Sequence, residues 1–150
     1  MRKPIQVLVF PYRKGKDQEY EFCIFFRKKM NIWQGIAGGG EDDETPLETA
    51  IREVHEETGI SETAKFFQLS AISSTPVVNI TGQFTWGPEV YVVTEYSFGV
   101  DATGQDIILS DEHKEYKWVS YKEAMELLNW DSNRTALWEL NTRLEKNDMS

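Results

Sequence analysis

Apolar residues along the chain fall into short runs separated by charged or glycine-bearing breaks. The run at residues 5–10, between Pro4 and Pro11, predicts a buried strand. Residues 12–19 are charged, carry one glycine and predict a hairpin loop. YEFCIFFR at residues 20–27 is a second strand, followed by a polar connection at 28–31. Residues 64–73 predict another strand. VYVVTEYSF at 90–98, rich in β-branched and aromatic residues, predicts a further one, and 116–119 a short one. Pro76 and Gly82 punctuate residues 75–84, so that 77–80 read either as a piece of strand or as a loop at the mouth of a site. Helices are predicted at 121–128, capped by Ser120, and at 132–145. No internal repeat appears. This order predicts a single domain in the α/β (α+β) class, a mixed sheet with helices on both faces.

The most strongly marked element is a helix at residues 46–58. Thr45-Pro46-Leu47-Glu48 combines an N-cap threonine, a proline at the first helical position and a glutamate three residues after the cap. Gly59 stands where a left-handed residue ends a helix. At about 100° per residue, Leu47, Ile51, Val54 and Thr58 form one stripe, predicted to face the core. Glu53 and Glu57, four apart, stack on a second face, with Glu56 beside them toward Arg52. A charged helix surface is commonly just solvated. These glutamates, however, crowd within one turn near the C-terminal end, where the helix dipole disfavours anions. A hard divalent cation would relieve both the repulsion and the dipole cost.

Net charge is −9, which argues against nucleic acid or an anionic membrane as partner. The same charge means that an acidic site must be inverted by metal before a polyphosphate can enter. No apolar run approaches a membrane span, and the N-terminal segment lacks a small-residue cleavage site. The single cysteine, Cys23, lies in a strand-like run and reads as buried filler, and its solitude fits a reducing, cytoplasmic setting. Nothing in the composition reads out an oligomeric state.

Gly38, five residues, Glu44, seven residues, then Arg52-Glu53-Val54-His55-Glu56-Glu57-Thr58-Gly59-Ile60 resembles the Nudix box with every specified position filled. At average residue usage a chance match is on the order of 10⁻⁹ per start, so the resemblance is specific. It implies a Nudix-type α/β/α sandwich around a central mixed sheet. The activity it implies is a metal-dependent hydrolysis of a nucleoside diphosphate linked to another moiety, through water attack at phosphorus. Glu53 and Glu57 become main ligands of Mg²⁺, with Mn²⁺ equally suited to carboxylate oxygens. The carbonyl of Ala37, just before the box, joins them. Glu56 is either a ligand or the base that takes the proton from water. Arg52 orients a catalytic carboxylate, and Glu44 is structural or outer to the metal. Gly38, Gly39 and Gly40 are suited to positive φ and to bringing backbone N–H groups near phosphate. Trp33 either stacks on a substrate ring or packs on the sheet, and Arg27 is placed with the substrate-binding residues.

Two later segments extend the resemblance. EHKEYKW at 112–118, followed by Trp130-Asp131-Ser132-Asn133-Arg134, looks like the bacterial dihydroneopterin triphosphate diphosphatase subgroup. There the glutamate before the histidine is a late metal ligand, which carries to Glu112, and Glu95 is its rival. Ser132, Asn133 and Arg134 either hold substrate or simply start a helix, with Ser132 as cap. The implied substrate is a small nucleotide or pterin triphosphate. The competing expectations are a hydrolase of other triphosphates, oxidised ones included, or of dinucleoside polyphosphates, and a binding module that has lost catalysis. The intact set of box glutamates argues against the last.

Overall fold

The structure, a computed structural model, describes residues 2–81, 86–110 and 115–149. Strand β1 (Arg2–Lys14) is the centre of a mixed sheet. It lies parallel to β6 (Val92–Asp101) on one edge. On the other it pairs antiparallel first with β4 (Ile36–Glu41) and then with β2 (Tyr20–Arg27). Beyond β2 come β3 (Ile32–Gln34) and β7 (Glu115–Val119), and beyond β6 comes β5 (Phe66–Pro76). The helices are α1 (Pro46–Thr58), α2 (Val77–Thr81), α3 (Tyr121–Leu127) and α4 (Asp131–Glu145).

Strand β1 is longer than its apolar run suggested, because neither proline stops it. Pro11 falls between the last β4 partner, Val9, and the first β2 partner, Tyr12. Pro4 falls in the register irregularity between Arg2 and Gln6. At both places no ladder bond is asked of the missing N–H. Alternation along β1 divides the core. Leu8 and Phe10 join Leu137 and Leu140 of α4 on one face, while Val7 and Val9 join Ala50 and Val54 of α1 on the other. Cys23 is fully buried in the second cluster, and burial pushes its thiol pKa up, as filler requires.

Helix α1 has the predicted bounds and caps. Thr45 Oγ1 accepts from Glu48 N at 3.2 Å, Thr45 N donates to Glu48 Oε1 at 2.9 Å, and Gly59 takes φ 74°. Its buried face is turned from the predicted stripe. Thr49, Ala50, Val54, Glu57 and Thr58 are buried, whereas Leu47 is 43% exposed. The glycines of β4 let the helix settle through Thr49 and Glu53, which carries Leu47 off the sheet. Residues 77–80 are neither strand nor loop but most of α2. Ser132 does not cap α4: the helix begins one residue earlier and its N-cap, Trp130, makes no side-chain cap bond. Ser120 does cap α3, accepting from Glu123 N at 3.1 Å.

Candidate active site

Strand β4 and helix α1 meet through glycine. A Cβ on Gly38 would stand 2.2 Å from Glu53 Cδ, so only glycine lets the Glu53 carboxyl lie against the strand. The expected positive φ is not used here: among the described residues, the glycines with positive φ are Gly59, Gly87 and Gly104. Gly38–Gly40 are extended, and their smallness, not their backbone freedom, is what the site requires.

Arg52 is the hub. Its Nε donates to Glu44 Oε2 at 2.7 Å and its Nη2 to Glu44 Oε1 at 3.0 Å, a bidentate pair. Nη2 also donates to Gly39 O at 2.9 Å, which ties α1 to β4. Nη1 reaches Glu53 Oε1 at 3.0 Å and Glu56 Oε2 at 3.2 Å. The Arg52 hydrogen bond is the main reason why the Glu44 pKa is held down, at about 2. Thr49 Oγ1 and Glu41 N also donate to Glu44 Oε1. Glu44 is thus the fixed counter-ion that sets the arginine fork.

Glu53 is in the opposite condition. Burial pushes its pKa up to about 7; Arg52 opposes the shift, and Glu56 and Glu57 add to it. Glu57, one turn on, is 5% exposed, and its Oε2 accepts from Ser110 Oγ at 2.6 Å. Ser110 N donates to the Glu57 carbonyl at 3.0 Å, so the loop after β6 is strapped to the end of α1. Glu56 is the exposed member.

Among the described residues no three acidic, histidine or cysteine side chains are gathered as a finished metal cage. Arg52 holds Glu53 and Glu56, and Ser110 holds Glu57. Glu112 lies outside the described residues. The donor set still fits a hard divalent cation. Glu53 is a half-enclosed carboxyl whose cation, Arg52, is shared with Glu41, Glu44 and Glu56, and all the candidate donors are oxygens. The glycine notch at Gly38 also keeps the Glu53 carboxyl pressed to the strand that carries Ala37.

Glu53 opens onto a polar cleft of about 170 Å³ lined by Gln6, Arg27, Ala37, Gly38, Gly39 and Asn79. Through Gln6, Arg27, Ala37 and Asn79 it continues into a narrower recess that ends on Gln34, Glu95, Ser132 and Asn133. The structure therefore brings Arg27, Ala37, Gly38, Gly39, Glu53, Ser132 and Asn133 to one cavity system. Asn133 is mainly a brace, its Oδ1 accepting from Gly35 N at 2.8 Å. Arg134 does not reach the cleft. It bonds Leu128 O and Asp131 and lines a separate groove beside Trp138, since α4 starts early and turns that position outward. Trp33 packs on the sheet, its ring 5.2 Å from Phe26 with Lys117 at 5.0 Å over its face.

Gln6, Gln34, Asn79 and Ser110 are site residues that the sequence reading missed. Gln6 carried a signal, being polar within an otherwise apolar run.

The NUDIX domain profile matches residues 3–138, and the chain belongs to this family of pyrophosphohydrolases. It is 29% identical over 138 residues to the dihydroneopterin triphosphate diphosphatase of Escherichia coli K12, covering 91% of each chain. Among solved structures it resembles a NUDIX hydrolase of Listeria monocytogenes at 45% identity and TM-score 0.87, with 99% of each chain covered. It also resembles the E. coli dihydroneopterin triphosphate pyrophosphohydrolase at 25% identity and TM-score 0.74, over 93% of this chain and 97% of that one.

Proposed function

We propose that this chain cleaves a nucleoside-triphosphate-like substrate, dihydroneopterin triphosphate foremost, to a monophosphate and pyrophosphate with Mg²⁺ or Mn²⁺. The observation that carries the reading is the placement of Glu53. It is half-enclosed, clamped by Arg52 and open to a cleft whose other wall offers Arg27 and a glycine strand. The likeness to the E. coli diphosphatase supports the choice of pterin.

Glu53, Glu57 and the Ala37 carbonyl would hold the cation, with Glu112, which lies outside the described residues, as the late ligand that the family resemblance implies. When bound, the cation neutralises non-bridging phosphate oxygens and lowers the pKa of attacking water. Arg52 touches no substrate; it fixes the Glu53 carboxyl through Nη1, while Glu44 fixes Arg52. Arg27, on the cleft wall, meets the anionic chain. Glu56, exposed and bonded only through Arg52 Nη1 among the described residues, takes either the ligand or the proton-accepting role.

The test is product analysis with Mg²⁺ on a panel of dihydroneopterin triphosphate, common and oxidised nucleoside triphosphates, a dinucleoside polyphosphate and ADP-ribose. Pyrophosphate release, fastest from the pterin compound, is the expected result. Faster turnover of another compound would discard the pterin assignment. Glu53→Gln and Glu57→Gln should each lower kcat by about 10³-fold or more with an unchanged melting temperature, the size of effect seen when a charge-stabilising group is lost. Near-normal rates in either would overturn the metal site.

A further inference from the structure

Glu95 is a buried acid that the mechanism does not use. It is 5% exposed and stands at the floor of the recess that continues from the cleft. Gln6 Nε2 donates to its Oε2 at 2.7 Å, Ser73 Oγ to its Oε1 at 3.3 Å, and the Ser132 side chain is also bonded to it. All three partners are neutral, and among the described residues no lysine or arginine is ion-paired with it. Burial raises its pKa while the Gln6, Ser73 and Ser132 hydrogen bonds oppose that rise, and as a carboxylate each oxygen keeps a lone pair beyond the donors behind it.

The sheet sets its distance from the chemistry. Gln6 is paired with Gly39 on one side and with Glu95 on the other, so the three lie in one rung and on one face. Two strand spacings, roughly 10 Å, separate the β4 glycine strand from Glu95. A pentose or a short polyol covers that reach between a phosphate and a ring. Glu53 lines the cleft and Glu95 the recess beyond it, so Glu95 is placed to meet what the phosphate is attached to.

We propose that Glu95 selects the heterocycle, accepting from adjacent ring N–H and exocyclic amino groups of a 2-amino-4-oxo ring, the edge common to guanine and pterin. Two neighbouring donors match a two-oxygen acceptor. Adenine and cytosine put a ring-nitrogen lone pair where one of those donors must stand, and a carboxylate rejects it. The opposite wall suits the ring carbonyl: Gln34 Oε1 is already occupied by Trp130 Nε1 at 3.2 Å, which leaves the amide nitrogen to donate. The inference deepens the pyrophosphohydrolase reading and takes the same cavity as the substrate's seat.

The experiment measures kcat/KM for GTP, dihydroneopterin triphosphate and ATP, together with calorimetric binding of GMP and AMP, in wild type, Glu95→Gln and Glu53→Gln. Wild type should favour the 2-amino-4-oxo ring at least tenfold in both assays. Glu95→Gln, which turns one acceptor into a donor, should lose that preference and gain relative affinity for AMP. Glu53→Gln should keep the GMP preference while losing turnover. An unchanged GMP/AMP ratio in Glu95→Gln overturns the proposal. So does an equal fall in kcat on every substrate with binding ratios intact, which would make Glu95 part of the metal centre. If wild type hydrolyses nothing yet prefers GMP, the catalytic reading fails and the role of Glu95 stands. Should Glu95→Gln fold poorly, Ser132→Ala removes one of the groups that hold the carboxylate, and it must lower the same ratio by a smaller factor.

Discussion

Two glutamates on one arginine behave in opposite ways because burial dominates at Glu53 and the Arg52 hydrogen bonds dominate at Glu44. Glu44 has both fork bonds, and its pKa falls to about 2. A group whose pKa is depressed by folding contributes stability above the ordinary carboxylate value and loses it as pH falls toward the folded one. Melting curves of wild type and Glu44→Gln should therefore differ most near neutrality and converge between about pH 4 and pH 2. The same substitution should cost roughly 10-fold or more in kcat, because Arg52 no longer holds Glu53 in place. Gly38→Ala probes the glycine notch: the new methyl collides with the end of a side chain, so the fold survives while Glu53 is displaced. A fall of about 100-fold in kcat with a little-changed melting temperature is the expected outcome. The box glutamates and Arg52 were legible in the sequence because their spacing on one helix fixes their mutual position. The condition of Glu53 was not, since it depends on Gly38 lying fifteen residues away across a packed interface.

The helices with a side-chain cap and the apolar strand β2 were legible from the sequence, whereas the start of α4 and the strands without apolar alternation were not. The caps of α1 and α3 are carried by side chains within four residues, and both helices start where those chains say. Strands β3 and β4, with their Trp33-Gln34-Gly35 and glycine-rich stretches, offer no apolar alternation; they are strands because β2 and β1 supply partners. The predicted α1 stripe held at Val54 and Thr58 but not at Leu47, since the glycine surface beneath turned the face. Strand β5 gives an element-scale prediction. Its register breaks between Gln68 and Ile72, and the N–H groups of Ser70 and Ala71 turn to the Glu139 carboxylate of α4 at 2.7 and 2.8 Å. Burial works against that anion, but the two N–H groups and Arg143 Nε, at 2.8 Å, outweigh it and lower its pKa. Glu139→Ala should lower stability by about 2–3 kcal/mol in urea titration, with turnover at low temperature retained. The loss should shrink in acid, as protonation removes the same bonds in wild type.

At the scale of the molecule, an α/β/α sandwich carries the polar cleft and its recess beside a two-sided apolar core, and no helix among the described residues is long and apolar enough to cross a membrane. On the proposed reading, the negative charge of the chain orders the two bindings, cation first and anionic substrate second. Mg²⁺ at 100-fold over its dissociation constant should add about 2.7 kcal/mol to wild-type stability, read as a rise in melting temperature. Glu53→Gln should lose most of that rise, and a full rise in the mutant would place the cation elsewhere. At the far end of the cavity, Glu95, Ser132 and Asn133 were named from the resemblance, but their meeting with Gln6 was not. Gln6, Glu95 and Ser132 belong to β1, β6 and α4, and only the sheet brings them together.

The parallel pairing of β1 with β6 also dictates a timetable. Strand β1, once synthesised, acquires its parallel neighbour only when Asp101 has followed it, well after β2 and β4 are ready to pair. At about 5–20 residues per second, the growing chain carries an open strand edge for several seconds. Until β6 docks, Gln6 has no Glu95 to meet. The residues proposed to recognise the ring thus come together only once β6 has docked, so a nascent chain halted before β6 lacks the Glu95 floor of that recess.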